Sequence, residues 1–275
     1  MASTMFSAIS QTLRPLTRRP PPRFITVKQS QRLTPNMIRL TFAGPELESI
    51  PDGCEGAHCK IMLPGNDQTR EDFYACLTGG PRPVTRTYTI RHARPDMGEI
   101  DIDFVEHGDE GPASAWARRA RPGSFCGLAG PGSVKITDFY ADWYLVAADM
   151  SALPMAAATL EAMPRSAKGL AVFEITSEED SQPIDAPPGV QIAWLVHPDP
   201  HVASDAQQQL VRALTWPTGT VQTCIAGESG VIRAFRQFLH NEKGVAKRDT
   251  YISGYWKIGL IEDEHQKVKR SEAAS

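Results

Sequence analysis

The chain has 275 residues, is 41% hydrophobic and carries a formal net charge of −3. That length suits two domains with buried cores, and a mixed, slightly acidic charge gives no reason to expect a nucleic-acid partner. No apolar run approaches the roughly 20 residues that span a bilayer, and the five cysteines (Cys54, Cys59, Cys76, Cys126, Cys224) form no Cys-x-x-Cys pair and no zinc-type spacing, so no metal site is expected and the thiols read as buried in a reducing compartment.

Residues 1–22 contain four prolines and no carboxylate; the first acid is Glu46. An Arg-rich, acid-free start fits a transit peptide or a flexible arm, and Pro20-Pro21-Pro22 favours the arm. A secretory signal needs a continuous apolar core that is not seen, so the cytoplasm is the expected location.

From Phe24 the pattern becomes strand-like. Residues 24–28, 37–42 and 58–63 are rich in β-branched and aromatic side chains. Residues 65–85 are polar and read as a loop. Arg86-Thr87-Tyr88-Thr89-Ile90-Arg91 alternates as a strand, with Arg86, Tyr88 and Ile90 on one face and Thr87, Thr89 and Arg91 on the other. A guanidinium, a phenol ring and a hydroxyl within one strand suit a flavin: a fork for phosphate, a plate for the ring and a partner for its polar edge. An ordinary half-buried strand is the plain alternative. Asp101-Ile102-Asp103-Phe104-Val105 alternates again, and Phe125 to Pro131 reads as a last strand. Short strands divided by Pro/Gly turns imply a small antiparallel barrel. Between them lies His107-Gly108-Asp109-Glu110-Gly111-Pro112-Ala113-Ser114, a turn and a Pro-led helix start whose free backbone donors suit an anion.

At about Asp138 the texture changes. Residues 143–148, 170–175, 190–196, 221–226 and 250–253 read as buried strands. Residues 152–163, 203–214 and 229–240 read as helices, the first with Leu153, Ala156, Ala157 and Leu160 on one side. Strands alternating with helices imply a parallel sheet covered on both faces. No Gly-x-Gly-x-x-Gly follows the first strand; Ala148-Asp149-Met150-Ser151-Ala152-Leu153-Pro154 stands there instead. The second crossing is Ala226-Gly227-Glu228-Ser229-Gly230, where Glu228 reads equally as a helix-start carboxylate or as a nicotinamide contact. The acids of Thr176-Ser177-Glu178-Glu179-Asp180 suit a ribose hydroxyl, whereas Arg233 and Arg236 could hold a 2′-phosphate.

The Arg-x-Tyr-Thr strand followed by a strand and a Gly-Pro helix start resembles the FAD domain of the ferredoxin reductase-like superfamily. His-Gly-x-x-Gly-Pro-Ala-Ser-x-Trp-Ala, then Ala226-Gly227-Glu228, then Gly254-Tyr255-Trp256-Lys257-x-Gly259, is similar to the siderophore-interacting protein family, from about Phe24 to about Lys269. The resemblance implies an arm over 1–22, an FAD-binding β-barrel over 23–137, an NAD(P)H-binding α/β domain over 138–256 and a helical tail over 257–275. It implies an FAD-dependent ferric-siderophore or ferric-chelate reductase that releases Fe(II), with NADPH favoured over NADH because of the tail. A general flavin reductase and a siderophore-binding flavoprotein are the rivals. FAD would be held by Arg86, Thr87, Tyr88, Thr89, Arg91, Asp103, His107, Gly111, Pro112, Ala113 and Ser114, with Tyr255 and Trp256 near the flavin or the cleft. Asp149, Ser151, Ala152, Glu228, Arg233 and Arg236 would face the dinucleotide. Lys60 and Lys135 match basic substrate-contacting positions of the family, and Lys257 joins them by its place beside Trp256. Oligomeric state is left open, a monomer being the working reading. No side chain need act as acid, base or metal ligand in such electron transfer.

Overall fold

The structure, a computed structural model, describes residues 21–108, 111–260 and 264. The expected arm therefore falls outside the described residues except at Pro21 and Pro22, as does the expected helical tail beyond 260 except at Glu264.

Seven antiparallel strands build the first domain: β1 (Arg23–Thr34), β2 (Met37–Ala43), β3 (His58–Leu63), β4 (Val84–Thr89), β5 (His92–Arg94), β6 (Glu99–Val105) and β7 (Phe125–Ala129), in the order β4-β3-β7-β1-β2-β6-β5. The period-two alternation drives them inward: Leu40 and Phe42 of β2 and Ile100, Ile102 and Phe104 of β6 are fully buried. The chain after β4 draws the two edges together. Ile90 N–H donates to Ala57 O on one side and Arg91 N–H to Asp101 O on the other, giving a barrel-like closure. The alternate residues of β6 are acids, and each is matched. Glu99 pairs with Lys28 and Arg94, Asp101 with Arg94 and His92, and Asp103 with Arg39. Although burial opposes it, the hydrogen bonds from His92, Arg94 and Thr41 hold Asp101 well below the usual carboxylate range.

Residues 65–85 are not all loop. Helix α1 (Arg70–Thr78) starts at Thr69, whose hydroxyl accepts from Asp72 N–H, and buries Phe73 and Leu77. It covers β7, where a Cβ on Gly127 would lie 2.6 Å from Leu77 Cδ2. Helix α2 (Pro112–Arg119) places Trp116 parallel to Phe42, ring centres 6.3 Å apart.

The second domain is a five-stranded parallel sheet, β10-β9-β8-β11-β12, made of β8 (Trp143–Asp149), β9 (Lys168–Ile175), β10 (Gly189–Val196), β11 (Val221–Glu228) and β12 (Thr250–Trp256). The last strand runs on through Trp256, past the expected end at Ser253. Helix α3 (Leu153–Ala162) packs on one face. Helices α4 (Ala206–Arg212) and α5 (Ser229–Gln237) cover the other with Val211, Ile232 and Phe235. Every residue of α3 from Leu153 to Thr159, and Leu160, is buried, not only one side. The cause is the barrel, which lies on its outer face: a Cβ on Gly56 would sit 3.5 Å from Ala158 Cβ.

Polar clasps join the domains. The Arg91 guanidinium, 6% exposed, takes both oxygens of Glu161 on α3. Asp180, fully buried, accepts from Thr34 Oγ1 (2.7 Å), Asn36 N–H (3.0 Å) and Asn36 Nδ2 (2.8 Å) on the β1–β2 hairpin. Met37 packs against Met150 and Ile175 beside this clasp. All five cysteines are free and all but Cys76 are buried; burial pushes the Cys54 thiol up to about 11 and the Cys224 thiol to about 12, so the buried thiols behave as inert packing groups.

Candidate functional site

A cavity of about 850 Å3 opens between barrel strands β3, β4 and β6 and the carboxyl ends of β8, β9, β11 and β12. Its size lies at the upper end of ligand pockets, ~300–1,000 Å3. The carboxyl edge of an open parallel sheet is where such folds receive ligands, because helix starts and loops converge there.

The barrel wall holds Lys60, Thr87, Tyr88, Thr89, Asp103 and His107. Three consecutive residues of β4 reach the cavity because β4 is an edge strand in the sheet order, bonded along its length to β3 alone. Tyr88 is braced by Phe104, ring centres 4.3 Å apart. Lys60 Nζ donates to Thr87 Oγ1, and Lys135 Nζ donates to Ser133 Oγ at 3.2 Å. His58, two residues before Lys60 on the same face of β3, also lines the cavity.

The floor is built around Asp149. Its Oδ1 accepts from Ser151 N–H (2.9 Å), Ser151 Oγ (2.5 Å) and Ala152 N–H (3.3 Å). Its Oδ2 accepts from Glu228 N–H (2.9 Å) and Trp256 Nε1–H (2.7 Å). Burial pushes the Asp149 carboxyl up, and these donors pull it partly back. Gly227, at φ 150°, makes room: a Cβ there would fall 2.6 Å from Asp149 Oδ2. Glu228 caps α5, its Oε2 accepting from Gly230 and Val231 N–H, while Oε1 accepts from Ile258 N–H at 3.3 Å. The helix-start reading of Glu228 is thus realised, on a residue that also lines the cavity. Tyr255 and Trp256 line it too, so the pair faces the cleft, although Tyr255 also packs on the core under α3.

The far end, at β9 and β10, carries Glu174, Thr176, His197, His201 and Ser204. Glu174 Oε2 accepts from Ser204 Oγ at 2.6 Å. Burial raises the Glu174 carboxyl, with Ser204 and nearby His197 opposing the rise.

Several expected residues stand elsewhere. Arg91 is spent on Glu161, and Arg86 Nη1 donates to Thr85 O without lining the cavity. Gly111, Pro112, Ala113 and Ser114 do not line the cavity. The Ser114 hydroxyl accepts from His107 N–H and donates to Gly108 O, so it sets the loop that carries His107. A Cβ on Gly111 would meet His107 Cε1 at 2.5 Å, so the glycine leaves room for that ring. Ala152 is fully buried. Arg233 and Arg236 are exposed on the outer side of α5, because Ile232 and Phe235 turn inward at helical spacing. Lys257 does not line the cavity. The acids at 178–180 do not line the cavity: Asp180 is taken by the barrel, and Glu178 and Glu179 are exposed. Glu174, His58, His197 and His201 escaped the sequence reading. The signal for Glu174 and His197 was their place at the carboxyl ends of the second and third parallel strands.

A family model for the siderophore-interacting FAD-binding domain matches residues 26–135, and one for the siderophore-interacting protein matches residues 141–259. Ferric vibriobactin reductase ViuB of Vibrio cholerae is 34% identical over 257 residues, covering 90% of this chain and 94% of that protein. The solved siderophore-interacting protein SipS of Aeromonas hydrophila superposes with a TM-score of 0.80 at 32% identity, over 93% of this chain and 99% of that one. Ferredoxin-NADP+ reductase of Plasmodium falciparum shares the fold at 13% identity, with a TM-score of 0.60 over 85% of this chain and 96% of that one.

Proposed function

Because the chain belongs to the siderophore-interacting protein family, we propose that it is an FAD-containing ferric-siderophore reductase, using a nicotinamide dinucleotide as donor and releasing iron as Fe(II). The observation that carries this reading is the single cavity shared by an aromatic, hydroxyl-bearing barrel strand and the carboxyl edge of a parallel sheet. The fit to a flavin is chemical. Tyr88 offers a ring braced by Phe104, Thr87 and Thr89 offer hydroxyls, and His107 stands on a loop fixed by Ser114. Arg86, on the same strand face as Tyr88, would take the phosphates beyond the cavity mouth. A flavin held by Arg86, Thr87, Tyr88, Thr89 and His107 would supply the chemistry that matches a two-electron nicotinamide donor to one-electron ferric iron.

The chain's own residues then bind, align and select. Asp149 and Trp256 fix a rigid floor for the nicotinamide. His58, Lys60 and Lys135 present a basic wall in a chain of net charge −3, which favours an anionic ferric chelate over a neutral acceptor. That wall separates this reading from a general flavin reductase. The free, buried thiols of Cys54, Cys59, Cys126 and Cys224 suit a reducing, cytoplasmic site of action.

Anaerobic stopped-flow tests the reading. NADH or NADPH should bleach the bound flavin, and a ferric siderophore should restore its colour faster than a neutral quinone of similar potential. Failure of both nucleotides to bleach it would exclude the reductase and leave a binding flavoprotein.

A further inference from the structure

The lysines of the cavity stand on the barrel side, and β12 brings hydroxyls instead of charge. Tyr251, Ser253 and Tyr255 share one face of this strand by alternation, and all three line the cavity. The connection from β7 to β8 crosses the same face. Its Ile136 and Phe139 pack against the core that also holds Tyr251 and Tyr255. Gln222 Nε2 donates to Asp138 O at 3.0 Å, and Tyr140 Oη donates to Asp249 Oδ1 at 2.6 Å. Lys135 immediately precedes Ile136 on this connection, and the His58 ring lies against Gly132 just before it. One branch of the cavity is therefore bounded by His58 and Lys60 of β3, by Lys135 and by the tyrosines of β12.

The two phenols are paired, their oxygens 3.3 Å apart. Burial raises both, but their contact acts oppositely on the two: it pulls Tyr251 back and pushes Tyr255 further up. A bond donated by Tyr255 to Tyr251 has that effect, because it favours the anion of the acceptor and disfavours that of the donor. Ser253 also pulls Tyr251 back, as a second donor. With two donors on its oxygen, Tyr251 keeps its own hydrogen for a group in the cavity. Burial holds the phenol neutral, so this wall offers a donor without a charge.

We propose that this branch receives the metal chelate and that Tyr251 makes it selective for aryl chelates, in which catechol-type oxygens hold the metal. The basic wall attracts any anion and does not separate an aryl chelate from an aliphatic carboxylate one such as citrate. The tyrosine wall does. Tyr251 O–H donates to a metal-bound phenolate oxygen, a charge-assisted bond, and the two rings give the aryl arms an apolar surface. Citrate has no ring and gains only the hydrogen bond; the selectivity is that difference. This rests on reading the cavity as the place where a flavin meets a ferric chelate.

The test is calorimetric titration of the FAD-loaded protein with gallium(III) complexes, which copy the ferric ligand shell but are not reduced. Wild type should bind the 2,3-dihydroxybenzoate complex about tenfold more tightly than the citrate complex. Tyr251→Phe, which keeps the ring, should weaken the aryl complex about tenfold, with FAD content and thermal midpoint near wild type. Tyr251→Leu, which removes the ring as well, should bring the two complexes to within about twofold of each other. Equal wild-type affinity for the two complexes, or wild-type affinity in Tyr251→Phe, would overturn the proposal and leave the reductase reading standing. Should Tyr251→Leu fail to fold, those two measurements still decide. If wild type binds neither complex although a nucleotide bleaches the flavin, the proposal falls together with the ferric-chelate half of the functional reading, and a general flavin reductase is left.

Discussion

Trp256 donates its indole N–H to Asp149 Oδ2 at 2.7 Å, tying the end of β12 to the end of β8 across the intervening strand β11. Ordered next to each other along one sheet edge, β8, β11 and β12 would otherwise fray at their carboxyl ends, where the ladder stops. The carboxylate replaces that ladder, gathering donors from the β8–α3 turn, from Glu228 and from Trp256.

Asp149→Ala should therefore leave several half-buried donors without a partner. The expected loss is about 2–4 kcal/mol of stability, seen in chemical unfolding, with a changed near-ultraviolet circular dichroism signal from tryptophan. A loss under about 0.5 kcal/mol would show that water substitutes for the carboxylate and that the floor is not rigid.

Asp180 gives a prediction with a pH sign. Burial alone would raise its carboxyl, but the hydrogen bonds from Asn36, Thr34 and Thr176 outweigh burial and leave it lowered. A folded value below the unfolded one, about 3.9, means the stabilisation is present above that pH and is lost as pH falls through the folded value. Asp180→Asn should cost about 1.5–3 kcal/mol near neutrality. The gap between variant and wild type should close below about pH 4, monitored by Trp194 beside the clasp. An equal gap at about pH 3 and about pH 7 would mean the charge is irrelevant to docking.

The proposed flavin wall is tested at Arg86 and Tyr88. Arg86→Ala should weaken FAD binding about ten- to a hundredfold, the worth of a charge-assisted contact of ~1.5–3 kcal/mol. The purified variant should be pale after gel filtration. Tyr88→Ala should retain FAD better but raise flavin fluorescence, because an electron-rich phenol no longer quenches it. Full colour in the first variant and unchanged fluorescence in the second would move the flavin off β4.

The fold was legible where a period ran uninterrupted. Ile100, Ile102 and Phe104 alternate inward, and the run 143–148 is apolar throughout because β8 is covered on both faces. Helix α1 was hidden because seven of its nine residues are polar, small or half-exposed; only Phe73 and Leu77 turn inward. Thr69 with Asp72 three residues on was the readable start signal. The misplaced site residues share one cause. Arg91, Asp180 and Ser114 each carry chemistry suited to a ligand, but a partner distant in sequence or a neighbouring loop took it: Glu161, the β1–β2 hairpin, and the His107 turn. Local spacing holds no record of such partners. Lys60 and Tyr88 both line the cavity because an antiparallel pair puts them one register step apart, Lys60 opposite Thr87 and Cys59 opposite Tyr88.

That register bears on the acceptor. Lys60 and His58 share a face of β3, and Lys135 follows the Gly130-Pro131-Gly132 turn, where a Cβ on Gly132 would collide with the His58 ring. The three basic groups therefore converge on one side of the cavity through backbone geometry rather than chance surface scatter. A chain of net charge −3 gives no long-range attraction for an anion, so capture must be local and must weaken with salt. Lys60→Ala and Lys135→Ala should each raise the KM for an anionic ferric chelate several-fold. FAD content and the rate of flavin reduction by the nucleotide should stay near wild type, since neither lysine faces the floor. The defect should shrink with a neutral or cationic chelate, and the wild-type KM for the anionic one should rise with ionic strength. Lys257→Ala, which removes a lysine outside the cavity, should leave both chelates unaffected. If the Lys60/Lys135 double variant reduces anionic and neutral chelates in the wild-type ratio, the basic wall does not select the substrate. Iron would then be received elsewhere along the cavity mouth.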